Sequence, residues 1–175
     1  MTKKKKPSYI VGIGASAGGL EALELFFRNM PPDSGMAFVL VQHLSPDYKS
    51  LMGELLAKYT DMEIFPVEDG MEVKANCIYL ITPKKNLTIF HGKLFLIEKE
   101  SLHVLNLPID IFLRSLAQER GEKSIGIILS GTGSDGTRGI RAIKEAGGMA
   151  MVQDEKSARF DGMPRSAVLT GVVDY

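Results

Sequence analysis

The residue best placed to do chemistry in this sequence is Ser16, in the run Gly14-Ala15-Ser16-Ala17-Gly18. An apolar stretch, residues 9–13, leads directly into this run, and an amphipathic segment follows it. A serine flanked by glycines at a strand-to-helix turn can serve as an exposed nucleophile. Such a turn leaves little room for neighbouring side chains, and it directs peptide N–H groups and a helix N-terminus at a bound group.

Two further polar residues follow predicted strands and complete a chemical set with Ser16. His43 comes after the apolar run 36–41, and Asp135 comes after the run 125–130. Sites in open α/β sheets form at the carboxyl ends of strands, so the three side chains are expected at one edge. A serine needs a base such as imidazole, and the imidazole needs a carboxylate to fix its tautomer. The pattern therefore predicts a Ser-His-Asp hydrolase.

Each residue also has a structural interpretation. Ser16 fits a cap in a phosphate-binding loop, His43 fits a hydrogen-bonded structural histidine, and Asp135 fits a cap on the helix that begins near Thr137. His91 falls in a predicted hairpin turn. His103 has no strand-end context and is kept as a candidate substrate contact. The co-occurrence of the three residues at strand ends favours catalysis over these separate explanations.

Two other carboxylates compete with Asp135 for the catalytic role. Asp110 lies in the first turn of a predicted helix, where the helix dipole favours a negative charge. Asp161 is the second rival. A zinc hydrolase is not expected, because no two histidines have the spacing of a helix face. The single cysteine, Cys77, lies in an apolar strand and is expected in the core. No cofactor and no metal is predicted.

The order of the elements predicts an α/β fold. Strands are expected at 9–13, 36–41, 63–67, 77–81, 125–130 and 149–153, and a hairpin is expected over 86–97. Helices are expected after Gly18, after Ser45-Pro46-Asp47, from Pro108 to Gly121, and over 137–146. The alternation indicates a doubly wound, mainly parallel, three-layer sheet with a small antiparallel hairpin. Residues 9–175 are expected to form a single domain after a basic tail, residues 1–8.

Composition excludes several classes of protein. The chain has 175 residues, 45% of them hydrophobic, which is enough for one sizeable core. Its 21 basic and 21 acidic residues balance, which argues against a nucleic-acid-binding surface. No stretch approaches the roughly 18 continuous apolar residues of a membrane span. A cytoplasmic protein without membrane insertion is expected.

Several motifs in the same order resemble the catalytic domain of the chemotaxis protein-glutamate methylesterase (CheB-type) family. The principal ones are Gly12-Ile13-Gly14-Ala15-Ser16-Ala17-Gly18-Gly19-Leu20, Val41-Gln42-His43-Leu44 and Ile127-Ile128-Leu129-Ser130-Gly131-Thr132-Gly133-Ser134-Asp135-Gly136. Later ones are Ala146-Gly147-Gly148, Val152-Gln153-Asp154 and Met163-Pro164-Arg165-Ser166-Ala167. The match spans nearly the whole chain. It implies a doubly wound sheet with a hairpin.

The resemblance also implies an activity and roles for residues. Members of the family hydrolyse γ-glutamyl methyl esters on cytoplasmic helices of chemoreceptors, and some deamidate glutamines there. The nucleophile falls on Ser16, the base on His43 and the carboxylate on Asp135. The oxyanion donors fall on the backbone N–H groups of Ala17 and Thr132, although many members have threonine at the position of Ala17.

The implied partners are methylated chemoreceptor helices or another methylated signalling protein. A receiver or methyltransferase domain is expected outside this chain, since few residues precede the first strand. The alternative is a non-catalytic phosphate- or nucleotide-binding or regulatory module built on the same glycine-rich turns. No lysine follows the first of these turns as a phosphate-binding loop requires, which favours the esterase.

Overall fold

A computed structural model describes residues 5–43, 49–99 and 105–175. Its strands are β1 (Ile10–Ala15), β2 (Ala37–Gln42), β3 (Glu63–Pro66), β4 (Met71–Glu72), β5 (Cys77–Leu80), β6 (Lys85–Phe90), β7 (Lys93–Glu98), β8 (Ser124–Ile128) and β9 (Met149–Val152). Its helices are α1 (Gly19–Asn29), α2 (Lys49–Ala57), α3 (Pro108–Arg120), α4 (Thr137–Glu145) and α5 (Gly162–Val168).

Six of the strands form a parallel sheet in the order β3-β5-β2-β1-β8-β9. Strands β6 and β7 form an antiparallel hairpin, and β4 pairs with β7 to make a second, three-stranded sheet. The predicted α/β fold with a small antiparallel part is confirmed. The additional strand β4 has only two residues, too few to show a period in the sequence.

Two hydrophobic cores lie on opposite faces of the parallel sheet. Successive side chains of a strand point to opposite faces. In β1, Val11 and Ile13 pack in one core with Leu23 and Phe27 of α1. The alternate residues face the second core, which contains the buried side chains of α3 and the inner residues of α4. The result is the predicted three-layer arrangement.

The glycines of β1 allow α3 to lie close to the sheet. A Cβ atom at Gly12 would lie 2.6 Å from Leu113 Cδ2, and one at Gly14 would lie 2.5 Å from Ile109 Cγ2. The sequence interpretation assigned Gly14 to crowding in the turn around Ser16. The structure shows that the contact with α3 requires it instead.

The middle of the sheet contains its topological switch point. Strand β1 pairs with β2 on one side and with β8 on the other. The chain passes outward through β2 and later returns to β8 across β1. Ligand crevices in open α/β sheets lie outside the carboxyl ends of the strands at such a point. The loops after β1, β2 and β8 meet there.

Two features differ from the expected elements. Helix α5 was not predicted, because a seven-residue segment is too short to show helical periodicity. The backbone of residues 5–8 pairs with the domain: Lys5 O accepts from Ala75 N–H at 3.0 Å, and Pro7 O accepts from Arg120 Nη2 at 3.0 Å. The predicted helix start at Ser45 and the candidate His103 lie outside the described residues.

None of the helices in the described ranges is long and apolar enough to cross a membrane. Cys77 is fully buried, as predicted from its apolar strand.

Candidate active site

The backbone places Ser16 between the two other candidate loops. Pairing across β1 continues beyond the strand ends: Ser16 N–H donates to Ser130 O at 2.9 Å, and His43 N–H donates to Ala15 O at 3.3 Å. The segments after β1, β2 and β8 are therefore held side by side. All three predicted residues lie at the carboxyl edge of the parallel sheet.

The carboxylate of Asp135 is the most completely bonded polar group in this region. Its Oδ2 accepts from His43 Nε2 at 2.9 Å and from Ile109 N–H at 3.0 Å. Its Oδ1 accepts from Asp110 N–H at 3.0 Å and from Gly136 N–H at 2.8 Å. Only 5% of Asp135 is exposed. Four donors compensate the burial of this charge.

The capping interpretation of Asp135 identified the wrong helix. Helix α4 is preceded by Gly136, with φ at 96°, and Asp135 accepts from the N–H of Gly136 but from no N–H within α4. The carboxylate instead accepts the N–H groups of Ile109 and Asp110 in the first turn of α3, which has no side-chain cap of its own from Leu107. The carboxylate therefore lies at the positive end of the α3 dipole. Capping of α3 and binding of His43 are performed by the same group.

His43 is oriented by this carboxylate and remains partly open. Its side chain is 38% exposed, whereas Asp135 is buried. When the neutral ring donates through Nε2, Nδ1 carries the lone pair and can act as a base. The Ser16 hydroxyl forms no hydrogen bond with His43 or with any other described residue. His43 is thus hydrogen-bonded directly to Asp135, whereas Ser16 is positioned beside them by backbone hydrogen bonds between the three loops.

Ser130 is a functional candidate that the sequence interpretation missed. It is fully buried, and its hydroxyl donates to Ala17 O at 2.7 Å while accepting from Phe160 N–H at 3.0 Å. Its own N–H donates to Gln153 Oε1 at 2.8 Å. The sequence signal that could have identified Ser130 is its place as a polar residue at the end of an apolar run. Ser130 fixes the Ala17–Gly18 peptide, which is the second peptide after the candidate nucleophile.

Gly131 leaves the space that Ser16 needs. A Cβ atom at this position would lie 2.9 Å from Ser16 Cβ and 2.4 Å from Met163 Sδ. Met163 is buried, so its thioether has little room to retreat. Glycine is required here by close approach and not by an unusual backbone angle.

The N–H groups of Ala17 and Thr132 are available to a ligand. Both residues lie in the loops that follow β1 and β8, outside the regular elements. Neither N–H donates a hydrogen bond to another residue in the described part of the chain. Ala17 is half-buried and Thr132 is exposed. Unpaired N–H donors beside a serine suit a developing negative charge.

The rival carboxylate Asp110 is buried and serves the neighbouring helices. Its Oδ1 accepts from Gly139 N–H of α4 at 2.7 Å, and only 4% of the residue is exposed. Burial raises the pKa of the Asp110 carboxyl, and the nearby Asp135 charge adds to the rise, while hydrogen bonds from the α4 backbone oppose it. Asp110 lies in the first turn of α3, as predicted, and its carboxylate contacts α4.

The remaining described candidates, His91 and Asp161, form no hydrogen bond or ion pair with Ser16, His43 or Asp135. His91 occupies the hairpin turn, with φ at 48°. Asp161 pairs with Arg165 in α5. Among the described residues, no group of three or more His, Cys, Asp or Glu side chains is arranged to hold a metal ion.

Comparisons with known proteins give a consistent result. Residues 11–175 match the family model for CheB methylesterase. The chain is similar to the crystal structure of the Thermotoga maritima CheB methylesterase catalytic domain, with a TM-score of 0.87 and 30% identity over 96% of this chain and 91% of that one.

Relatives with curated names differ in length. A putative protein-glutamate methylesterase/protein-glutamine glutaminase of Leptospira interrogans is 34% identical over 93% of this chain and 85% of its own. The Thermotoga maritima protein-glutamate methylesterase/protein-glutamine glutaminase is 31% identical over 100% of this chain, which spans 52% of it. An uncharacterized 104.1 kDa protein of Rhodobacter capsulatus is 47% identical over 70% of this chain and 13% of its own.

Proposed function

Because this chain belongs to the CheB methylesterase family, we propose that it hydrolyses γ-glutamyl methyl esters of signalling proteins, releasing methanol and a glutamate carboxylate. The observation that carries the proposal is the bond between His43 Nε2 and Asp135 Oδ2 at 2.9 Å, held beside the turn that bears Ser16. A histidine oriented by a buried carboxylate next to a serine is the machinery of acyl transfer.

The proposed reaction begins with proton removal from Ser16. His43 accepts the proton through Nδ1 as Ser16 Oγ attacks the ester carbonyl. Asp135 keeps the opposite nitrogen protonated and stabilises the imidazolium that forms. The absent ground-state bond between Ser16 and His43 is compatible with this role, because catalytic hydrogen bonds are often long before substrate binds.

The tetrahedral intermediate carries its charge on the former carbonyl oxygen. We propose that the N–H groups of Ala17 and Thr132 bind this oxyanion. Their lack of described partners supports the role, since no existing bond must break. One such donor contributes about 100- to 1000-fold in kcat in enzymes where it has been removed.

The acyl-enzyme then reacts with water. The imidazolium of His43 gives its proton to the methoxide leaving group, and methanol departs. His43 next removes a proton from the attacking water. The second tetrahedral intermediate then collapses as its bond to Ser16 Oγ breaks, and the imidazolium returns the proton to Ser16 Oγ, which leaves the glutamate carboxyl group and free Ser16. The same chemistry acting on a glutamine amide would release ammonia, which is the proposed deamidation.

The proposed substrates are methylated glutamates on chemoreceptor cytoplasmic helices or on another methylated signalling protein. The proposed location is the cytoplasm, where those helices lie. The proposed single catalytic domain spans residues 9–175, with further domains of a longer protein outside it.

The test is methanol release from a methylated chemoreceptor cytoplasmic fragment, comparing the wild-type chain with its Ser16→Ala variant. Ser16→Ala is expected to abolish measurable release and keep the circular dichroism spectrum. Asp135→Asn is expected to lower kcat strongly, because the tautomer is no longer enforced. A folded Ser16→Ala chain with wild-type release would refute the esterase and favour the non-catalytic binding module.

A further inference from the structure

A cavity of about 210 Å³ opens beside His43 and is lined by three lysines, Lys84, Lys85 and Lys99. Pro108, the first residue of α3, closes another side. The described lining contains no carboxylate. A positively charged cavity therefore adjoins the candidate base.

Two of the three lysines have no ion-pair partner in the part of the chain that the structure describes. Lys85 pairs with Glu98 across the β6–β7 hairpin. Neither Lys84 nor Lys99 forms an ion pair with another described residue, and both are exposed. The cavity consequently holds two cations whose charge is available to a ligand.

The backbone fixes where Lys84 sits. Its φ is 63°, a left-handed conformation that residues other than glycine rarely adopt. Thr82 Oγ1 in the same turn donates to Val67 O at 2.9 Å, and Ile81 N–H donates to Leu40 O at 3.1 Å. These two hydrogen bonds anchor the turn to Val67 and Leu40, and they hold Lys84 at the edge of the cavity beside His43.

The reacting group itself gives these lysines no partner. A methyl ester is neutral, and the oxyanion is assigned to the N–H groups of Ala17 and Thr132. The exposed lysines are solvated by water, but their charge attracts an anionic group brought close to them, and the attraction between unit charges at contact distances grows where the ligand excludes water.

We propose that this lysine cavity is a specificity subsite that binds a carboxylate side chain of the substrate, adjacent on its surface to the esterified glutamate. The substrate class is then an acidic segment of protein, not any exposed methyl ester. This inference rests on the proposed esterase function and adds the chemistry by which the same site selects its substrate.

The experiment uses two helical peptides that each carry one glutamate γ-methyl ester. In the first, glutamates stand three and four positions on either side, where they share a face with the ester. In the second, glutamines replace them. The readout is the ratio of kcat/KM for the acidic peptide to that for the neutral one, measured by methanol release.

A matched control comes from the other end of the same hairpin. Lys93 pairs with Phe90 beside the turn, whereas Lys85 pairs with Glu98 at the end that borders the cavity. We compare Lys84→Glu/Lys99→Glu with Lys93→Glu. The wild-type chain and Lys93→Glu are expected to prefer the acidic peptide roughly three- to tenfold at low salt, an effect of the size of a few surface ion pairs. The double variant is expected to lose or reverse the preference through KM, and added salt is expected to weaken it in the wild type.

Two readouts separate this inference from the proposed function. Ser16-dependent hydrolysis of p-nitrophenyl acetate by the wild-type chain tests the esterase chemistry without any acidic group, and its absence would overturn the function. If this hydrolysis is present, equal hydrolysis of the two peptides, or no hydrolysis of either, overturns the subsite.

Binding of the acidic peptide to the Ser16→Ala chain, measured by fluorescence anisotropy, tests the subsite without turnover. Binding that Lys84→Glu/Lys99→Glu leaves unchanged also overturns it.

Discussion

Replacing Ser130 by alanine removes a buried hydroxyl that connects the turn after Ser16 to the loop at Phe160. The hydroxyl donates to Ala17 O at 2.7 Å and accepts from Phe160 N–H at 3.0 Å. Without it, the carbonyl of Ala17 loses the donor that sets the orientation of its peptide. The proposed oxyanion donor Ala17 N–H belongs to the adjoining peptide, so its direction is expected to change.

The structure gives the size of both effects. An unmade buried hydrogen bond costs about 1–3 kcal/mol. The backbone at Ala17 is only half-buried and Phe160 is 40% exposed, so water replaces part of the loss. We therefore expect the free energy of unfolding to fall by about 1–3 kcal/mol in total. A displacement near 1 Å at a reacting group costs on the order of 100-fold in rate, so kcat is expected to fall about 10- to 100-fold with little change in KM.

Ser124 provides the control, because it lies at the other end of the β8 segment. It is also fully buried, and its hydroxyl donates to Gly121 O at 2.6 Å. Ser124→Ala is expected to lower stability by a similar amount and leave kcat unchanged. Urea unfolding and Ser16-dependent ester hydrolysis measure the two quantities. Equal losses of kcat in both variants, or none in Ser130→Ala, would refute the argument that Ser130 acts on the turn.

Three other predictions test packing and charge. Gly131→Ala is expected to lower kcat by about 100-fold, because its Cβ would lie 2.9 Å from Ser16 Cβ; Gly53→Ala, where the nearest atom is 3.7 Å away, is the control in the same assay. Burial raises the pKa of Asp110 above its usual value, so the folded state binds the proton more tightly than the unfolded state does. The stability that this group contributes therefore falls as the pH rises from the usual pKa through the raised one. The stability of Asp110→Asn relative to wild type is therefore expected to increase between pH 3 and 7 in urea unfolding. A hydrogen bond from Ala150 N–H, and to a smaller extent one from Lys144, lowers the pKa of Asp174. The stability that the ionised Asp174 contributes is therefore present above the usual pKa and is lost as the pH falls through the lowered pKa. Asp174→Asn is expected to destabilise at pH 7 and to have little effect at pH 2. Parallel pH profiles for the two variants would contradict at least one of the two assignments.

The sequence predicts the parallel strands well, because the apolar character of each strand residue determines that it is buried in the sheet. Val39 and Ile127 lie in apolar runs that end in polar residues, and such runs predict buried parallel strands. Parallel strands bring their carboxyl ends to one edge, so His43 and Asp135 could be expected near each other without knowledge of the fold's details. Their hydrogen bond also depends on the first turn of α3, whose Ile109 and Asp110 N–H groups hold the Asp135 carboxylate.

The role of Asp110 could not be predicted, because it depends on how closely two helices approach. A Cβ atom at Gly139 of α4 would lie 2.6 Å from Leu113 Cβ of α3. This glycine lets the helices come together and places its N–H on Asp110 Oδ1. The sequence shows a glycine within a helical pattern, but not which helix it faces. The same limit applies to Gly14, whose neighbour Ile109 is distant in sequence.

The first turn of α3 connects the parts of the site that the sequence presents separately. Its Ile109 and Asp110 N–H groups hold the Asp135 carboxylate, and the Asp110 side chain holds α4, the helix that follows Asp135. Pro108 lines the lysine cavity and immediately precedes these two donors. The hairpin that supplies Lys84 and Lys99 leads along the chain into α3. The orientation of the candidate base and the proposed recognition of the substrate therefore share one anchor, so a displacement of this turn would alter both the His43–Asp135 bond and the cavity beside it.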